Sequence, residues 1–194
     1  MWARFDPSAE GAIGVPSTLG LLPAATSILF VAKSRLPSTP ALRLLRRAGV
    51  AFEVLTYDYV ARGGARASSE ALGIPLHQVC KTLVFEDESR SPLVVVMHGD
   101  LEVSARSLAR AMKCKSVRPC APDVAERHSG YRVGGTSPFG TRRAMPTFVE
   151  KTVLDLDAMV VNAGARGVLV RIAPAVLSKL KEVTPVSVAR PREG

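Results

Sequence analysis

Two apolar runs, QVCKTLVFED and PLVVVMHG, meet at the polar turn EDESRS, and this constrains the chain more than any other feature. Runs of that length, rich in β-branched residues and bounded by polar turn residues, form paired strands. A hairpin must bury its apolar side chains, so the rest of the chain has to supply cover. Helical patterns stand on both sides of it. STPALRLLRRAGV has Leu42, Leu45 and Ala48 at helical spacing, a Thr39 or Ser38 cap, Pro40 at the first position and Gly49 as a stop. ASSEALG reads as a short helix ending at Gly73, VSARSLARAMK as an amphipathic helix capped by Ser104, and PDVAERH as another. AFEVLTYDY, TFVEKTVLDL, AMVVNAG, GVLVRI and VTPVSVA read as strands, and APAVLSKLKE as a helix. Strands mixed with short helices imply an α+β fold with a mixed sheet.

The hairpin carries one charged residue on an apolar face. Side chains alternate along a strand, so Val79, Lys81 and Leu83 share one side while Cys80, Thr82 and Val84 share the other. Two readings of Lys81 stand open. It is a charged guard on a sheet edge, or a cation aimed into a cleft to hold a phosphate or polarise a carbonyl. Cys80 beside a lysine invites the reading of an activated thiolate, but alternation sends the two side chains to opposite faces. Cys80 is therefore expected to be a core thiol.

The chain has a net charge of +9 and a pI near 10.0. One unit of that charge belongs to residues 1–37, where Arg4, Lys33 and Arg35 face Asp6 and Glu10, and eight belong to the remainder. A basic domain points to a polyanionic partner, nucleic acid before membrane. Aromatic residues make up only 5%, which argues against a base-stacking sheet. Cys80, Cys114 and Cys120 are odd in number and form no CxxC pair, so a disulfide framework is not expected and a reducing, cytoplasmic setting is. His77, His98 and His128 are scattered, so no metal and no cofactor are expected.

Residues 1–37 differ in composition, being rich in Gly, Pro and small residues. The apolar run from Leu19 to Ala32 is too short for a bilayer span and contains Pro23. Its weak basic flank argues against a secretory leader. The expected organisation is a flexible extension over 1–37 and one domain over 38–194, with no membrane association.

The stretch YRVGGTSPFGTRR, residues 131 to 143, reads as neither helix nor strand. Gly134, Gly135 and Gly140 permit positive φ and close backbone approach, and successive bare N–H groups can form an anion-binding concavity. Thr136 and Ser137 add hydroxyls, Pro138 stiffens the turn, and Arg142 and Arg143 follow. There is no GK[ST], so it is not a P-loop.

In chain order, TPALRLLRRAGVAFEVLTYDY, VCKTLVF, VSARSLARAMKCKSV, SGYRVGGTSPFG and NAGARGVLVRI together resemble the YbaK/EbsC family of aminoacyl-tRNA deacylases, relatives of the prolyl-tRNA synthetase editing domain. The likeness covers roughly residues 38 to 190. It implies a compact mixed-sheet YbaK-like editing domain with flanking short helices, acting on Cys-tRNA(Pro) through attack of the cysteinyl thiol on its own ester. It also implies a functional lysine at Lys81, and a pocket lined by Tyr57, Gly134, Gly135, Thr136, Ser137, Pro138, Gly140, Asn162 and Gly164. Arg142, Arg143 and Arg166 stand where RNA contacts are expected, and Gly167 closes the late turn. Asn162 and Ala163 replace the usual Ser-Gly of that turn, and Leu169 stands near a position that is often acidic. These departures leave open another ester, such as Ala-tRNA(Pro), or a non-catalytic RNA- or synthetase-binding module. The expected partners are the aminoacylated acceptor end of tRNA and prolyl-tRNA synthetase.

Overall fold

The computed structural model describes residues 37–180 and 182–192. The extension expected over 1–37 lies outside the described residues, apart from Pro37. Helix α1 (Pro40–Arg47) begins where the sequence puts it: Thr39 Oγ1 accepts from Leu42 N at 3.1 Å, and Ala41, Leu42 and Leu45 are buried. Strand β1 (Glu53–Thr56) and helix α2 (Gly64–Leu72) follow, the latter closed by Gly73 in the left-handed conformation. Strands β2 (Val79–Asp87) and β3 (Pro92–His98) form the expected antiparallel hairpin, with Cys80 opposite His98 and Lys81 opposite Met97. Then come β4 (Leu101–Val103), α3 (Ala105–Met112), β5 (Val117–Pro119) and α4 (Pro122–Ser129). After the glycine loop come β6 (Thr147–Glu150), α5 (Lys151–Leu154), β7 (Met159–Ala165) and β8 (Val168–Ile172). A 3-10 helix (Pro174–Lys179), β9 (Val183–Val186) and β10 (Ala189–Pro191) end the described fold.

The large sheet runs β1-β8-β7-β2-β3-β6-β9, with β5 added beside β2, and β4 pairs separately with β10. It is mixed: β2–β7, β3–β6 and β6–β9 are parallel and the other pairs antiparallel. Alternation gives each face its own core. On one face Cys80, Val84, Val96, Val161 and Val170 pack with Leu42 and Leu45 of α1 and with Tyr131 and Phe139 of the glycine loop. On the other, Phe85, Val95 and Met97 pack under Leu108 of α3. A smaller cluster of Ile74, Val79, Val160 and Leu169 lies on that same face beneath α2.

Three expectations are corrected. TFVEKTVLDL is not one strand, because the chain coils into α5 after Glu150. Val149 and Val153 fall on the same side under either period, so the pattern could not tell. The helical turn is joined to the sheet by the Thr152 hydroxyl and His98 Nε2, 2.8 Å apart and 54 residues distant in sequence. APAVLSKLKE forms a 3-10 helix instead of an α-helix, with Val176 N bonded to Ala173 O at 3.1 Å and Leu180 N to Leu177 O at 2.9 Å. VTPVSVA breaks after Val186. The buried carboxylate of Glu150 accepts from Val188 N at 2.7 Å and Ala189 N at 2.8 Å, which draws the chain away from β9 and onto β4. Strands β4 and β5, three residues each, are too short for alternation to reveal.

Candidate active site

Strands β2 and β7 pair only at Val79–Val160 and Cys80–Val161. Beyond that point β2 takes β5 as its neighbour, while β7 shifts register against β8 between Asn162 and Ala165 and passes through Gly164 at φ +90°. The two strands therefore part at the level of Lys81 and Asn162. Cys80 and Val161 belong to the α1-side core. By alternation Lys81 and Asn162, one residue further along each strand, turn to the opposite face. Lys81 is half-buried there, and its ammonium donates to Leu101 O on β4. Burial holds its pKa below the ordinary lysine value, Arg192 nearby acts in the same direction, and Glu102 and Asp100 oppose them. Asn162 Oδ1 is buried and has no hydrogen-bond partner among the described residues. Tyr57 lies on this face too, against the α2 cluster, with its pKa raised first by burial.

The glycine loop is built differently. Tyr131 is buried, and its hydroxyl hydrogen is shared between Phe139 O at 2.7 Å and Gly140 O at 2.9 Å; desolvation pushes its pKa up to about 12. Thr136, Ser137 and Phe139 are buried, Pro138 with them, and Ser137 Oγ accepts from Phe139 N at 3.3 Å. The glycines are required by protein contacts. Gly134, at φ +92°, lies against the Tyr59 ring, and a Cβ on Gly135 would stand 2.7 Å from the Ala165 carbonyl carbon. A Cβ on Gly140 would stand 2.8 Å from the Pro40 carbonyl carbon. The bare backbone thus serves packing against α1 and the β7–β8 turn, a reason the sequence did not reveal.

Arg166 is exposed, donates from Nε to Val133 O at 2.9 Å and lies 5.0 Å from the centre of the Tyr59 ring. Arg142 and Arg143 are exposed, and their backbone N–H groups tie the end of the loop to α4 through Ser129 O and His128 O. The structure thus joins the loop, Gly164, Arg166, Tyr59 and the start of α1. The Lys81 ammonium bonds instead to β4, and β7 carries Asn162 as well as Gly164.

Cys80 is not an activated nucleophile. It is buried in the core, and desolvation pushes its thiol up to about 12. Reading the sequence missed one titratable cluster: the ring of His77 stacks on that of His98, and Asp100 lies 3.0 Å from His77 Nδ1. His98 is fully buried with both ring nitrogens engaged, Nδ1 with His77 O and Nε2 with Thr152 Oγ1. Those bonds make it a brace within the fold.

A family profile described as an aminoacyl-tRNA editing domain matches residues 63–180. The chain belongs to the aminoacyl-tRNA editing domain family. EbsC of Enterococcus faecalis, named as a candidate Cys-tRNA(Pro)/Cys-tRNA(Cys) deacylase, is 35% identical over 115 residues, covering 59% of this chain and 70% of that protein. A proline–tRNA ligase of Limosilactobacillus fermentum is 24% identical over 52% of this chain, but that match spans only 18% of the ligase. The crystal structure of a candidate trans-editing enzyme for prolyl-tRNA synthetase superposes with a TM-score of 0.65 at 21% identity, over 81% of this chain and 99% of the other, and supports the fold. The part of the editing domain that carries Lys81, the glycine loop and the late turn falls wholly inside the matched span.

Proposed function

We propose that this editing domain hydrolyses the ester of mischarged tRNA(Pro) in trans, with Cys-tRNA(Pro) as the substrate. The observation that carries this reading is the parting of β2 and β7 just beyond Cys80 and Val161, which turns Lys81 and Asn162 to one face, where the Asn162 carbonyl oxygen is buried without a partner among the described residues. A buried acceptor without a donor costs free energy until something donates to it. The α-ammonium of an aminoacyl ester is such a donor. Lys81 spends one proton on Leu101 O, and its ammonium keeps two for a substrate oxygen. The name of EbsC and the match to a prolyl-tRNA synthetase support the substrate class.

The domain offers orientation and charge stabilisation, with Cys80 buried and protonated. The nucleophile is then the thiol of the substrate. Its sulfur attacks the ester carbonyl, the bond to the terminal ribose oxygen breaks, and the thiol proton passes to that oxygen. Lys81 steadies the negative charge on the carbonyl oxygen meanwhile. The experiment is deacylation of a small panel of charged tRNAs. Cysteinyl-tRNA(Pro) should be cleaved much faster than seryl-tRNA(Pro), which differs by one atom. Equal rates would overturn substrate assistance in favour of an activated water, and cleavage of none would leave a binding module. Prolyl-tRNA synthetase is the proposed source of tRNA identity, and the cytoplasm the proposed setting.

A further inference from the structure

A groove of about 560 Å³ lies where α4 faces the edge made by β2 and β5. Arg90, Arg118, Arg127 and His128 line it, and Val124 and Pro119 narrow it. Two acids face these cations: Glu86 is 2.8 Å from Arg118 and Asp123 is 3.5 Å from Arg127. Both arginines remain about two-thirds exposed, at 67% and 68%. The Arg127–Asp123 pair is exposed on both sides, and such pairs are weak, so a phosphate can displace that carboxylate, whereas the nearly buried Glu86 stays on Arg118. Arg90 comes from the β2–β3 turn, where it is exposed and has a positive φ of 62°. Among the described residues no phenyl, phenol or indole ring lines the groove, and cations dominate its lining. Its chemistry suits a duplex, which proteins read through phosphates and shape.

The groove leads to the glycine loop. His128 O and Ser129 O, at the end of α4, accept from Arg143 N at 3.2 Å and Arg142 N at 2.9 Å. The Arg142 side chain lies over Gly130, whose Cβ position would be 3.0 Å from Arg142 Cβ. A backbone following the groove therefore passes Arg142 and Arg143 and reaches the glycine loop. We infer that the groove between α4 and the β2–β5 edge is a track for the phosphate backbone of an RNA stem that runs toward the glycine loop. This rests on the editing reading for its choice of RNA as the polyanion.

The test uses the full chain and uncharged tRNA(Pro), so its result stands apart from whether any ester is cleaved. Arg90→Glu/Arg127→Glu should weaken binding tenfold or more at moderate salt. It should also lower the slope of log affinity against log salt by about two, one per lost phosphate contact. The charge-matched control Arg171→Glu/Lys179→Glu should lose less than about threefold, because its charges lie on β8 and the 3-10 helix. Equal losses in the two variants would overturn the track and leave net charge as the cause. Unchanged tRNA affinity in the groove variant would overturn it outright, and loss of binding to prolyl-tRNA synthetase in that case would assign the groove to a protein partner. Should the reversed variant melt early, Arg90→Gln/Arg127→Gln carries the same test with a smaller shift in the same direction.

Discussion

The lysine strand and the glycine loop are joined by β7, yet they are held by opposite means. The loop is wedged: Tyr131 ties two of its carbonyls, Ser137 and Phe139 are fully buried, and Gly135 and Gly140 face neighbouring backbone. Lys81 is tethered by one bond to Leu101 and sits among the charges of Arg192, Glu102 and Asp100, on the face where Asn162 has an acceptor without a partner among the described residues. The lesson is that two equally suggestive motifs can divide the work. On the proposed reading, one is a rigid frame whose residues should report on stability, and the other a poised group whose residues should report on rate.

The sharpest break of that division is Lys81→Ala. If the ammonium stabilises the developing oxyanion, its loss should cost roughly 2.7–4 kcal/mol, about a hundred- to a thousand-fold in rate. The melting temperature should stay within a degree or two of the parent, since a half-buried strand lysine adds little to a core. Lys81→Arg should not fully restore the rate, because a planar fork replaces a point charge. A large fall in melting temperature would show that Lys81 belongs to the frame after all.

Gly135→Ala tests the other side. Its new methyl would stand 2.7 Å from the Ala165 carbonyl carbon and 2.8 Å from Arg166 N, both backbone atoms with little room to yield. Overpacking of that kind costs about 1–3 kcal/mol. Denaturant unfolding should show the loss, while the rate per folded molecule changes far less than in Lys81→Ala. An unaltered stability with a collapsed rate would reverse the assignment and return the loop to ligand binding.

Acid provides the gentlest probe. His98 is buried with its pKa held below the ordinary 6.5, chiefly by desolvation. The unfolded chain therefore binds the proton more readily, and stability rises with pH over that range. The contribution is fully present above about pH 6.5 and is lost as pH falls from there toward the lower folded value. Melting temperatures between pH 7 and 5 should fall in the parent and flatten in His98→Gln. Parallel curves would mean that other groups set the acid limb.

Much of this was legible in the chain. The hairpin, the Thr39 and Ser104 caps and the alternation that separates Lys81 from Cys80 depend on neighbours in sequence, and local physics decides them. What stayed hidden was decided at a distance. The purpose of Gly135 depends on Ala165 and Arg166, and that of Gly140 on Pro40. The coil after Glu150 depends on a bond to His98, and His77, His98 and Asp100 meet only through the hairpin's end. Asn162 was singled out by resemblance, but its empty acceptor follows from the parting of β2 and β7, which no spacing announces.

Glu150 gives the architecture a practical vulnerability. Its carboxylate clamps Val188 and Ala189, which seat β10 on β4, and β4 in turn supplies the carbonyl that receives Lys81. The lysine is thus splinted by a strand more than a hundred positions downstream. Anyone who trims this protein before residue 188, or fuses a bulky partner directly to β10, is adjusting the aim of the ammonium from the far end of the lever.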